Sequence, residues 1–166
     1  MDGGEGITRV ARMQQRTHSE TVLVHASPHE VYDLVSNIER TGEWSPTCVR
    51  CEWDDPEDTG EGATFTGYNE TAERTWQTTS TVVAAEPGRR WAWEVGDGFV
   101  RWSYDLVAVT EGTEVTETWM FLPAGLEHFR ERFGGEAQEA IDVRSERAYR
   151  DIPATLATLR EVLEAR

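Results

Sequence analysis

Along the middle of the chain, hydrophobic and polar positions alternate with a period of two; near both ends the period changes. "HSETVLVHA", about residues 18–26, reads as a first strand and runs directly into "SPHEVYDLVSNI". There Ser27 stands as an N-cap, Pro28 at the first helical position, and Glu30 three residues after the cap completes a capping box. Val31, Leu34, Val35 and Ile38 then share one helical stripe, which predicts a short helix. In "ERTGEWSPTC" the breakers Gly42 and Pro46 leave Trp44 on a loop or a short second helix. From about residue 47 to residue 122 six strands follow: "TCVRCEW", "GATFTGYNETA", "RTWQTTSTVVAAE", "WAWEV", "FVRWSYDLVAVT" and "EVTETWMFLP". Short turns such as "PGRR", "GDG" and "EGT" make successive strands antiparallel neighbours. After Pro123, "AGLEHFRERFGG" predicts a short helix or lid over 123–134. A long amphipathic helix comes last, its inward stripe being Ile141, Ser145, Ala148, Ile152, Leu156, Leu159 and Leu163, with Pro153 inside it as an expected kink.

The order strand, two short helices, six strands, long helix predicts an α+β domain over 18–166, preceded by a loose tail over 1–17. One curved antiparallel sheet can wrap the final helix, and the space between them is the natural place for a site. Phasing each strand by its polar residues decides what faces that space. Val100, Trp102, Tyr104 and Leu106 point in while Arg101, Ser103 and Asp105 point out. Trp76, Thr78, Ser80 and Val82 share a face, as do Phe65, Gly67 and Asn69, and Trp91, Trp93 and Val95. The last strand contributes Val115, Glu117, Trp119 and Phe121. Trp53, Trp76, Trp91, Trp93, Trp102 and Trp119 can therefore occupy one face. At roughly 200 Å² buried per indole and about 25 cal/mol per Å², that set is worth roughly 30 kcal/mol as an upper bound, so the face is not left wet. Solid core packing is one reading. Rigid indoles interleaved with Asn69, Thr78, Ser80, Tyr104 and Glu117 fit a pocket better, because a dry core must satisfy every polar group it holds.

Glu117 is the one carboxylate on its strand's inward face, and three roles are open. It can pair with an arginine such as Arg74 or Arg101, accept a hydrogen bond from an otherwise greasy ligand, or act as a general acid/base with a pKa raised among indoles. In the last case Tyr104 could steady an enolate oxygen.

Composition narrows the partners. With 16 basic against 31 acidic side chains in 166 residues, the formal charge is -15, which disfavours nucleic acid and anionic membrane surfaces. No apolar run approaches the roughly 18 residues of a membrane helix, and "MDGGEGITRVARMQQRTH" lacks the apolar core of a secretory signal, so a cytoplasmic location is the expectation. Cys48 and Cys51 form a C-x-x-C, but "CVRCEW" reads as strand, which sends the two sulfurs to opposite faces and argues against redox or zinc chemistry. The four histidines show no ligand spacing, and nucleotide-loop and nucleophile-elbow motifs are absent; no metal or cofactor is expected.

Taken together, "ASPHEVYDLVSNIERTGEWSP", "GATFTGYN", "VRWSYDL" and "GTEVTETW" resemble the polyketide cyclase/dehydrase group of the START-like (SRPBCC) superfamily over about residues 18–163. The resemblance implies a helix-grip fold, a seven-stranded antiparallel sheet around a long C-terminal helix enclosing an apolar cavity. It implies a hydrophobic or aromatic small-molecule ligand, lipid or polyketide-like, carried or sensed by a monomer or homodimer without membrane insertion. Only some members are enzymes, so catalysis by Glu117 and Tyr104 is an alternative to binding alone. The cavity positions that match are Trp44, Phe65, Asn69, Trp76, Trp93, Trp102, Tyr104, Glu117 and Trp119, to which the strand phase adds Phe121. A third possibility is a protein-interaction module that offers the indole face to a partner.

Overall fold

Strand pairing follows chain order with one exception, and that exception sets one edge of the sheet. In the computed structural model, which describes residues 16–165, β1 (Thr17–Val24) pairs with β7 (Gly112–Phe121). The full sheet runs β1-β7-β6-β5-β4-β3-β2, every neighbour antiparallel. Its other strands are β2 (Cys48–Trp53), β3 (Thr64–Glu70), β4 (Thr75–Glu86), β5 (Arg90–Val95) and β6 (Val100–Val109). The expected seven-stranded α+β architecture is what forms. The tail expected over 1–17 lies, except for its last two residues, outside the described part.

Between β1 and β2 stand helix α1 (Pro28–Val35) and a 3-10 helix (Ile38–Glu43). The capping box at the start of α1 is made in full: Ser27 Oγ accepts from the Glu30 N–H at 3.2 Å, and Glu30 Oε2 accepts from the Ser27 N–H at 2.8 Å. Gly42 does not break the second helix. It lies within it, and a Cβ there would come 2.2 Å from the Val49 carbonyl oxygen, so its lack of a side chain lets the 3-10 helix press onto β2. That contact directs Trp44, the C-cap residue, into the core at 4 % exposure.

The register of β2 slips between Cys48 and Arg50. The extra residue, Val49, bulges outward and is half exposed. A strict alternation would separate the two cysteines; the bulge restores both to one face, with the Sγ atoms 3.4 Å apart. The expectation of opposed sulfurs is therefore corrected.

After β7 come α2 (Pro123–Phe133), with Pro123 in its first turn, and α3 (Ala137–Glu164), which continues through Pro153. Its buried stripe contains all seven positions expected from the sequence. The long helix packs mainly on β1 and β7, on α2 and on the 3-10 helix, and much less on β3 to β6. It lies over one side of the sheet.

Candidate functional site

Three rows of side chains cross the inner face of the sheet. The first joins Trp91, Tyr104, Glu117 and Glu20, register partners on β5, β6, β7 and β1. In the second, Val82, Trp93, Trp102, Trp119 and His18 stand side by side. Trp53, Phe65, Ser80, Val95, Val100 and Phe121 form the third. Apart from the bulged start of β2, the strand phases read from the sequence are those observed.

Burial divides this face. Trp44, Phe65, Trp91, Tyr104, Glu117, Trp119 and Phe121 are all below 5 % exposed. Trp119 is capped by Tyr149 of α3, ring centroids 6.0 Å apart and nearly perpendicular. Trp53, Asn69, Trp76, Trp93 and Trp102 keep partial exposure although they point inward. These five belong to β2 to β6, the strands that α3 covers least. Trp93 and Trp102 stack with centroids 6.4 Å apart and planes 14° from parallel, and Phe65 and Tyr104 tilt against Trp93 at 6.5 and 5.9 Å. An indole pair in the middle of a sheet, stacked on itself and short of cover, is a surface on which a flat apolar guest can lie.

The polar chemistry lies in the first row. Tyr104 has two hydrogen-bond partners, the Trp44 indole N–H, which donates to its hydroxyl oxygen, and the Glu117 carboxyl, which accepts from it. Glu117 is 3 % exposed, and its Oε2 is buried without a hydrogen-bond partner. Neither expected arginine reaches it: Arg101, on the outer face, holds Glu94 at 2.7 Å, and Arg74 lies over the Trp76 ring at 4.3 Å. The salt-bridge reading of Glu117 is thus overturned. The charges that act on it are acidic. Burial pushes its pKa well above the ordinary carboxylate value, and Asp151 of α3 and Glu20 of β1 push in the same direction, outweighing the Tyr104 hydrogen bond. Burial thus favours the neutral form of Glu117, the form that can donate. Tyr104 is likewise raised, first by burial and then by Glu117.

Asn69 and Trp76 stand apart from this centre, at the open end of β3 and β4. Asn69 Nδ2 donates to Thr78 Oγ1 at 3.3 Å, and the bare Gly67 leaves room for that hydroxyl, which a Cβ there would approach to 2.9 Å. The ten expected positions therefore fall into a sealed polar triad, a stacked aromatic wall and an open end. Sequence phasing missed what the helices add: Tyr149 over Trp119, Asp151 near Glu117, and Phe129 of α2 against Phe121 at 5.1 Å. Their periodicity marked them as helical, but periodicity does not say which strand a helix meets. Among the described residues no three His, Cys, Asp or Glu side chains converge as a metal site, and no helix is long and apolar enough to cross a membrane. Outside the sheet, a shallow groove of about 410 Å³ runs between β1 and the C-terminal half of α3, lined by residues including Val22, Pro153 and Leu156.

A wrapped sheet, a long C-terminal helix and an aromatic face between them define the helix-grip class. Within it, the chain belongs to the family described as polyketide cyclase / dehydrase and lipid transport, whose model matches residues 15–164. The solution structure of the polyketide cyclase-like protein Cgl2372 from Corynebacterium glutamicum is 45 % identical, covering 90 % of this chain and 92 % of its own, at a TM-score of 0.68. The di-domain aromatase/cyclase StfQ of the steffimycin biosynthetic pathway shares the fold at a TM-score of 0.68 and 14 % identity, over 96 % of this chain and 54 % of that one. The protein NE0264 from Nitrosomonas europaea does so at 0.65 and 14 %, over 90 % and 94 % of the two chains. No curated protein sequence matches the chain.

Proposed function

We propose that the protein binds a hydrophobic, flat small molecule, lipid- or polyketide-like, between the inner face of β3 to β6 and α3, as a carrier or sensor. The observation that carries this reading is the stacked Trp93–Trp102 pair, inward-facing yet partly open. Burying such a pair under a guest removes apolar surface that the fold itself leaves uncovered. Titration of intrinsic tryptophan fluorescence with aromatic ligands tests it: micromolar guests quench or shift the emission, and Trp102→Ala weakens binding by about tenfold or more. A wild-type emission unmoved by every guest in the series overturns the proposal.

A second reading, cyclisation or dehydration of a polyketide-like substrate, rests on a different observation: a buried carboxyl with one oxygen unpartnered, whose pKa burial pushes up. Glu117 would deliver its proton to a substrate oxygen, and Tyr104 would support the resulting carboxylate by donating to it. In a turnover assay Glu117→Gln would abolish the reaction and leave binding of the guest within about twofold. Equal turnover by this variant removes Glu117 from the mechanism.

A further inference from the structure

All 16 basic side chains of this chain are arginines, and most of those described sit beside a carboxylate. Four that do not are gathered at one place. Arg74, just before β4, and Arg147 of α3 both lie over the Trp76 ring, at 4.3 and 5.1 Å. Arg144, one turn earlier on α3, lies 5.8 Å over Phe129, and Arg132 of α2 lies 5.2 Å over Phe133. Among the described residues, no carboxylate lies within ion-pair distance of any of the four.

This arrangement is unfavourable by itself. Arg144 is held below the ordinary arginine range by burial first, and then by the like charges of Arg74, Arg147 and Arg132. Arg147 is lowered by burial and by Arg74, with Glu73 and Asp151 compensating in part. A chain of net charge -15 has acids in excess, yet here four guanidinium groups repel one another over aromatic rings. The aromatic contacts lead inward without a gap: Phe129 meets Phe121 at 5.1 Å, and Phe121 meets Trp119 at 5.9 Å, beside Trp102 in register. A positive rim thus borders the aromatic wall.

From this juxtaposition we infer that the guest is an anionic amphiphile, its acidic head group held by Arg144, Arg147 and Arg74 and its apolar body lying on the Trp93–Trp102 stack. The inference rests on the proposed binding function and deepens it by naming the ligand's chemical class. Guanidinium forks bind carboxylate, sulfonate or phosphate oxygens in pairs, and an anion relieves the repulsion among the four charges. The six residue steps of β4 from Trp76 to Val82 span about 20 Å, so an extended chain fits the distance between head and wall.

Two probes with the same aromatic body separate the two claims. 1-Anilinonaphthalene-8-sulfonate carries an acidic group, and N-phenyl-1-naphthylamine does not. The wild-type protein should bind the sulfonate at least about tenfold more tightly, with the preference shrinking as salt is raised. Arg144→Gln and Arg147→Gln should each reduce the preference several-fold without weakening the neutral probe. Arg144→Lys, which keeps the charge, should retain most of it, and Arg89→Gln, on the distant β4–β5 turn, should leave it unchanged. Dodecanoate should then displace the neutral probe better than dodecanol, which extends the result from sulfonate to carboxylate. Equal affinity for the two probes overturns the inference and leaves the binding function standing. Failure of both probes overturns the binding function itself, and a preference that survives both glutamine variants places the anion elsewhere and overturns the assignment.

Discussion

At the scale of single residues, the decisive group is the Glu117 carboxyl. Its pKa in the folded chain is raised above the ordinary value of 4.5, first by burial. A carboxyl of this kind stabilises the fold fully below its unfolded-state pKa. Its contribution declines as pH rises from about 4.5 toward the folded value, because the unfolded chain releases a proton that the folded chain retains. Urea denaturation of the wild type should therefore show stability falling by up to about 1.4 kcal/mol per pH unit from this group across that window. Glu117→Gln should remove that slope and so gain on the wild type as pH rises above about 5. Parallel pH profiles for the two proteins would mean that Glu117 is ionised and paired. Tyr104→Phe makes a complementary test: it strands the Trp44 N–H and removes the donor to Glu117, at a cost of about 1–3 kcal/mol in the same assay. The inward orientation of both residues was legible from alternation. Their partners were not, because Trp44 comes from a separate helix and Asp151 from the far end of the chain.

At the scale of elements, the bulge in β2 and the 3-10 helix behave as one unit. Gly42→Ala would set a methyl 2.2 Å from the Val49 carbonyl, against backbone that cannot rotate away. The usual gain from replacing glycine, about 0.4–1 kcal/mol, is smaller than the cost of such overpacking, about 1–3 kcal/mol, so the variant should melt at lower temperature and expose Trp44, seen as a red-shifted emission. The same bulge makes the two thiols unequal. Cys48 is partly exposed and lowered, chiefly by a hydrogen bond with Cys51, whereas Cys51 is buried and pushed up by its neighbour's demand and by desolvation. Limited alkylation at neutral pH should label Cys48 first, as peptide mapping would show. Preferential labelling of Cys51 would contradict the placement. Helix α1 and the stripe of α3 were readable because capping and periodicity are local signals. The bulge was not, since one inserted residue leaves no mark on composition and reverses every later assignment in the strand.

At the scale of the whole molecule, stability and occupancy are linked. A guest that binds only the folded chain, present at a hundred times its dissociation constant, adds about 2.7 kcal/mol and raises the melting temperature by several degrees. Thermal unfolding with and without the neutral naphthylamine probe measures this, and Trp102→Ala should erase most of the shift at the same probe concentration. The sequence made the meander of β2 to β7 and its aromatic face legible, since the turns are short and each strand carries its own phase, but not the place of β1 beside β7. The side on which α3 rests was hidden, because an amphipathic stripe reports that a helix is covered and not by what.

That resting place has an evolutionary corollary. The hydrogen-bond ladders are backbone bonds, and the helix anchors itself on β1 and β7, so Trp93 and Trp102 are less enclosed than the buried residues around them. Exchanging one aromatic there for a smaller or differently shaped side chain reshapes the berth while the frame stays put. Descendants of such a scaffold are free to change specificity quickly, and architecture alone is then a poor guide to the chemistry of each one.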